Sequence, residues 1–300
     1  MAASRTAADI QYSGKDRILV VITYILLGLF ILVILFPLVY VVLASFLTPN
    51  VLITKGLAIA PSDWTITGYV KILSNDAMIR GFFNALFYSA AFALATVFFS
   101  VFAAYPLSIE GLAGKRPVMI FFLITMFFGG GLIPTYLVVK DLGMLNTVWA
   151  VILPGAISVF NIILAKTYFQ GLPKELFQAA SIDGASDLGI FFRIVLPLSK
   201  PIIFVLALYA FVGQWNSYFD AMIYLDDSRL FPLQLVLRSI LIQNQVQPGM
   251  IADALAQAEL KKLSEMIKYS AIVISSLPLI VMYPFFQKYF EKGAMVGSIK

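Results

Sequence analysis

Residues 18–46 read ILVVITYILLGLFILVILFPLVYVVLASF, 29 residues without one Asp, Glu, Lys or Arg. Crossing the hydrocarbon core of a bilayer takes about 20 predominantly apolar residues in a helix. Only a helix or a closed barrel satisfies its own backbone polar groups where water is absent. Pro37 lies inside the run and is expected to kink it. The character of this stretch extends to the whole 300-residue chain, of which 61% is hydrophobic and 12% charged. Soluble domains sit near about 45–50% and about 25%, so a soluble fold would lack the polar surface to cover itself. Disorder needs the opposite composition. The chain reads as an integral membrane protein.

Five further apolar stretches follow, at about 82–108, 118–139, 147–169, 201–218 and 267–286. They are continuous, unlike the alternating strands of a membrane barrel. The expected fold is therefore all-α, a membrane protein with six transmembrane helices. The third stretch includes Gly129-Gly130-Gly131 and Pro134, and the fourth includes Pro154. The first 17 residues are polar and the run after them is too long for a signal-peptide core, so no cleavable leader is expected. The organisation expected is a cytoplasmic N-terminus (1–17), a six-helix membrane domain (18–290) and a cytoplasmic tail (291–300). Its longer connections lie at 170–200 and about 220–265.

Orientation follows from Lys and Arg. With the N-terminus in the cytoplasm, the inner segments hold 12 basic and 7 acidic residues and the outer ones 9 of each. The net charge of +5 thus falls on one side. It reports topology, with both termini cytoplasmic, rather than an anionic ligand or nucleic acid.

The chain contains no Cys and no His. That removes Cys/His metal sites, haem and iron–sulfur ligation, thiol nucleophiles and Ser-His-Asp arrangements. The spans hold almost no ionisable residues, so no catalytic residue, metal site or cofactor is expected. No G-x-x-x-x-G-K-[ST] occurs: Gly14-Lys15 precedes Asp16 and Gly114-Lys115 precedes Arg116.

The 170–200 connection reads as structured. Pro173 suits a helix start and Lys174–Ile182 are helix-compatible. Gly184 supplies a turn, Ser186 or Asp187 caps a second short helix toward Val195, and Pro197 and Pro201 break the pattern. Small Ala179, Ala180 and Ala185 around the glycine leave room for another protein. From the residues alone, a folded interfacial loop and a docking segment both remain open.

The string Gln178-Ala179-Ala180, then Gly184 after three residues, then Ile194-Val195-Leu196-Pro197 after nine more, resembles the EAA signature of permeases of ATP-binding-cassette (ABC) importers. Gln178 stands where that signature usually has Glu. The stretch GGGLIPTYLVVKDLGMLNTVWAVILPG at 129–155 and the cluster Gln214-Trp215-Asn216 resemble the carbohydrate-uptake branch typified by the smaller maltose permease. That branch includes importers of acidic oligosaccharides such as aldouronate or alginate. The resemblance implies a type I importer permease in the bacterial inner membrane, with a cytoplasmic coupling helix between spans four and five. Its implied partners are a second homologous permease, an ABC ATPase dimer that carries ATP and Mg, a periplasmic solute-binding protein and an oligosaccharide. This chain would bind no cofactor itself. Coupling to the ATPase would fall to Gln178, Ala179, Ala180, Ser181, Asp183, Gly184, Ala185, Ile194, Leu196 and Pro197. The loop at 222–265 would reach the binding protein, with 243–262 as a solvated helical hairpin.

Polar groups inside spans mark a pathway by default. Asn84, Tyr88, Ser158, Asn161, Gln214, Trp215, Asn216 and Tyr218 are the candidates, and the last four combine amides with aromatic faces as sugar sites do. Hydrogen bonds between helices are the alternative use of the same groups. Lys140 and Asp141 read as an interfacial pair, and Trp149, Tyr224 and Tyr283 as interfacial anchors. An autonomous channel or carrier, or a membrane-embedded enzyme, are the competing classes.

Overall fold

The computed structural model describes residues 14–56, 60–243, 267–285 and 287. The terminal segments 1–13 and 291–300 and most of the expected 243–262 hairpin lie outside the described residues. Helix α1 (Gly14–Ala44) has 31 residues and is about 46 Å long at about 1.5 Å per residue, and it runs through Pro37 without ending. Its apolar window is 0% buried within the chain. Two contacts among the described residues anchor it near its Ala44 end. There Ser270 Oγ donates to the Ser45 carbonyl at 3.2 Å and Tyr40 meets Tyr269 edge-on at 6.1 Å.

Short α2 (Pro49–Lys55) and α3 (Thr67–Leu73) lead to α4 (Asp76–Ser108), which organises the molecule. Asn75 caps α4 by accepting from the Met78 N–H at 3.1 Å, and Asp76 faces the positive end of the helix dipole. Buried residues recur along its whole length at Met78, Gly81, Ala85, Tyr88, Ser89, Ala93, Thr96, Ser100, Ala104 and Leu107. That spacing of three and four forms one continuous stripe.

Around α4 lie α5 (Lys115–Phe127), α6 (Leu132–Asp141), α7 (Trp149–Ile152), α8 (Val159–Gln170), α9 (Lys174–Ile182) and α10 (Asp187–Ile190). A π-helical turn at Phe191–Val195 joins α10 to α11 (Leu196–Leu198), followed by α12 (Lys200–Trp215), α13 (Phe219–Tyr224) and α14 (Leu233–Gln243). The last described helix, α15, is Ile267–Phe285. The largest core cluster joins Val101, Ala104 and Leu107 of α4 to Ile162, Ala165 and Phe169 of α8, to Ile190, Phe191 and Val195, and to Leu206 of α12.

Among the described residues, three helices are long and apolar enough to cross a membrane alone: Asp16–Ala44, Asp76–Ser108 and Ile267–Phe285. The expected third span is two helices, α5 and α6, bent by 112°. The break falls on the glycine run, where Gly131 takes φ +85° and no side chain supports a helix. The expected fourth span is also interrupted, because α7 ends before Pro154 and Ser158 caps α8 afresh. At 12 residues α8 is about 18 Å long, short of a bilayer core. The break expected from Pro197 and Pro201 falls between them. The helix runs from Asp187 to Leu198 and bends by 74° at Ser199 into α12.

Gly81 fixes how closely α14 approaches α4. A Cβ there would lie 3.1 Å from Val236 Cγ2 and 3.2 Å from the backbone N and Cα of Leu233. A Gly81→Val chain is expected to lose about 1–3 kcal/mol through overpacking. Thermal unfolding in detergent measures it, and an unchanged midpoint would contradict this packing.

Candidate functional site

Two places on the molecule gather the residues singled out by sequence. The first is the bent segment from α9 to α11. Gly184 adopts φ +76°, a left-handed conformation that ordinary side chains avoid, and it turns the chain sharply between α9 and α10. Ser186 caps α10, its Oγ accepting from the Gly189 N–H at 3.2 Å. On this turn Gln178, Ala179, Ser181, Asp183, Gly184 and Ala185 are exposed, and Ala180 is half-buried. Two large aliphatic side chains flank the glycine in the open, Ile182 at 86% and Leu188 at 65% exposure.

The base of the segment is fixed as firmly as its tip is free. Phe191 is fully buried, with Phe102 at 5.1 Å and Tyr105 at 4.7 Å between ring centroids. Tyr105 also donates to the Asp187 carbonyl at 2.9 Å. The Leu196 N–H reaches back five residues to the Phe191 carbonyl, closing the π-helical turn. Ile194, Leu196 and Pro197 therefore sit at the attachment, away from the exposed tip. A salt bridge of 2.6 Å from Lys174 to Glu110 ties α9 to the turn before α5. Its hydrogen bond holds the Glu110 carboxyl below the usual carboxylate range and pushes Lys174 up. Because the folded Glu110 pKa is depressed, the tie is present at neutral pH and is lost as the solution is acidified. Both groups are solvent-exposed, so it positions α9 more than it stabilises the fold.

The second place is a hollow of about 340 Å³ where α4, α8 and α12 meet. Asn161 and Gln214 both line it, with Ser158, Ser217, Tyr209 and Thr96. Thr96 Oγ1 has no hydrogen-bond partner among the described residues, and it lies buried behind the surface of the hollow. The lining is uncharged. It offers amide and hydroxyl groups around the ring of Tyr209, which is 65% exposed. This arrangement hydrogen-bonds and stacks, and it performs no acid–base or nucleophilic chemistry.

The four-residue cluster expected at the end of span five is divided by the structure. Gln214 faces the hollow, whereas Trp215 is 1% exposed, stacked on Phe211 and edge-on to Phe82, with its indole N–H donated to Ser275 O at 3.0 Å. Asn216 ends α12, returning its amide to the Val212 carbonyl at 2.9 Å. Tyr218 lies in a separate cleft. Asn84 and Tyr88 bond the carbonyls of Arg229, Leu230 and Phe231, so they clamp the turn before α14. Sequence reasoning did not select Tyr209, Ser217 or Thr96. The signal for Tyr209 was its helical spacing from Gly213 and Gln214, whereas Ser217 lies beyond the end of α12.

Comparison with known proteins places this architecture. The family described as "Binding-protein-dependent transport system inner membrane component" matches residues 76–296. The chain belongs to this family. It is an inner-membrane ABC transporter permease component, and such subunits are not enzymes. It is 40% identical over 287 residues to the polygalacturonan/rhamnogalacturonan transport system permease protein YtcP of Bacillus subtilis, covering 95% of this chain and 99% of that protein. It is 40% identical to the protein LplC of the same organism over 88% of each chain. A crystal structure of a bacterial ABC transporter that imports the acidic polysaccharide alginate matches with a TM-score of 0.81 and 31% identity. That match covers 93% of this chain and 99% of that one.

Within this permease the two amino acids next to each other at 214 and 215 have opposite expected phenotypes. Trp215→Ala empties a buried site and is expected to cost about 3–5 kcal/mol. Gln214→Ala faces open space and is expected to leave the unfolding midpoint nearly unchanged. Paired thermal melts of the purified protein check this, and equal losses would contradict the division of the cluster.

Proposed function

We propose that this chain is one of two homologous permeases of an ATP-driven importer of oligosaccharides. A periplasmic solute-binding protein delivers the sugar, and an ABC ATPase dimer in the cytoplasm drives its passage. ATP and Mg belong to that ATPase, and this chain binds no cofactor. The observation that carries the reading is the α9–α11 segment, with an apolar exposed tip around Gly184 and a buried aromatic base on α4. A tip of that kind fits a groove on a partner, and a base of that kind transmits the partner's movement to α4 and α12. Residues Gln178–Ala185 would make the contact, while Ile194, Leu196 and Pro197 hold the lever. The family membership of the chain supports this use of the segment.

Six crossings with both termini cytoplasmic fit the broken helices. The 13 residues of α5 span about 20 Å and the three glycines after it up to about 10 Å more, together close to a bilayer core. On that reading α6 turns aside into the interface, with Lys140 and Asp141 at its end. The interrupted α7–α8 unit makes the fourth crossing, and non-helical backbone at such depth is tolerated where it lines a cavity. Gly155 and Ser158 do line the hollow. Asn161 and Gln214 are the sugar contacts we assign to it. The relatives named for polygalacturonan and for alginate support an acidic oligosaccharide as the substrate.

The test is purification of the assembled transporter and uptake in reconstituted vesicles. An ATPase and a second permease are expected to co-purify with this chain, and Gly184→Val is expected to lower uptake about tenfold or more. A Cβ at Gly184 meets nothing within 4 Å, but φ +76° strains any side chain there, so thermal unfolding of the variant is measured beside uptake and Gly184→Asn, which tolerates that conformation, serves as the control. A chain that transports alone, or a Gly184→Val complex with full uptake, contradicts the proposal.

A further inference from the structure

A cleft of about 460 Å³ opens between α14 and α15, beside the C-terminal end of α12. Tyr218, Gln234, Arg238 and Lys268 line it, with aliphatic walls that include Ile240 and Ile272. The guanidinium carbon of Arg238 stands 4.9 Å from the centre of the Tyr218 ring. This cation–π contact holds the guanidinium against the ring without consuming its N–H donors. Of those donors, one is turned to the Met222 thioether at 2.7 Å, a weak acceptor. The Lys268 ammonium lies 5.5 Å from the Tyr269 ring centre. Among the described residues neither cation has a carboxylate partner. A half-buried arginine held against an aromatic ring, with no carboxylate partner among the described residues, is arranged to receive an anion.

We infer that this cleft binds the carboxylate of a uronic acid unit of the transported oligosaccharide. Arg238 takes the two carboxylate oxygens in parallel, Lys268 adds a second positive charge, and Gln234 hydrogen-bonds a neighbouring hydroxyl. The aliphatic walls meet the C–H face of the sugar ring. The position favours the transported sugar over an anionic lipid. Ser217 lines the hollow assigned above to the pathway and Tyr218, the next residue, lines this cleft, so the two sites share one end of α12. The uncharged hollow does not select for an acid, whereas this cleft does. The inference rests on the proposed import of an acidic oligosaccharide and gives that selectivity a location.

The experiment uses the complete transporter in vesicles, with its binding protein, and compares uptake of a galacturonate trisaccharide with that of its carboxyl-reduced, neutral counterpart. Arg238→Gln is expected to lower uptake of the acid about ten- to a hundredfold at subsaturating concentration and to leave uptake of the neutral sugar unchanged. Arg238→Lys, which keeps the charge and loses the fork, is expected to recover only part of the loss. Lys268→Gln should weaken acid uptake to a smaller degree. Equal losses for acidic and neutral sugars would assign Arg238 a structural role and overturn the inference. So would a loss that appears only in vesicles containing phosphatidylglycerol, which would mark the cleft as a lipid site. A wild-type transporter that takes up the neutral sugar and not the acid overturns the substrate reading as well. An Arg238→Gln transporter that takes up the acid as well as the unaltered one does overturns this site alone.

Discussion

The seam between α4, α8 and α12 carries both the base of the α9–α11 segment and the polar hollow. Lipid tails are as apolar as the side chains they surround, so helices in a bilayer associate through close packing more than through exclusion of water. This seam meets that requirement with small residues. Ser89, Ala93, Thr96, Ser100 and Ala104 of α4 are buried, as are Ala165 of α8 and Ala210 of α12. Where the seam is tight, around Ala104, Ala165 and Phe191, it grips the base of the α9–α11 segment. Where it parts, at Thr96, Asn161 and Gln214, it leaves the polar hollow. One packing arrangement thus joins the base of the α9–α11 segment to the walls of the hollow, so the proposed lever and the proposed pathway share it.

The exposed surfaces complete that picture. The lipid-length helix α1 is bare within the chain, and α5 buries no residue. The tip of the α9–α10 turn is bare as well, but its character differs. It is a short projection of Ile182 and Leu188 around a glycine with positive φ, held at a fixed angle by a capped helix. Long apolar helices suit a bilayer or a second membrane chain, while a small rigid projection suits a groove.

Legibility in the sequence followed the local physics of each segment. Helices α1, α4 and α15 were readable because uncharged apolar length alone specifies a span. The third and fourth spans were not, because hydropathy does not register a break made by Gly129-Gly130-Gly131 or by Pro154. The turn at Gly184 and the Ser186 cap were readable because each depends on residue type at one position. The break before the fifth span was readable from Pro197 and Pro201, which bracket the 74° bend at Ser199. At the site, residue type suggested a cluster from Gln214 to Tyr218, whereas a helix separates neighbours by about 100°. Gln214 shares a face with Tyr209 and Gly213, while Trp215 shares one with Phe211 and fills the core. The Arg238 cleft was invisible because its members come from three separated segments.

The central claim, that the α9–α10 turn docks into the ATPase, is open to a direct measurement. The chain has no Cys, so Ala185→Cys places one thiol at the exposed tip. A short bifunctional reagent is applied to the complete transporter, with a cysteine introduced along the surface grooves of the ATPase. Docking of the turn predicts efficient cross-linking at one groove and a change in its rate when ATP binds. A thiol that labels freely with a water-soluble maleimide in the assembled complex, and cross-links to no groove position, would contradict it.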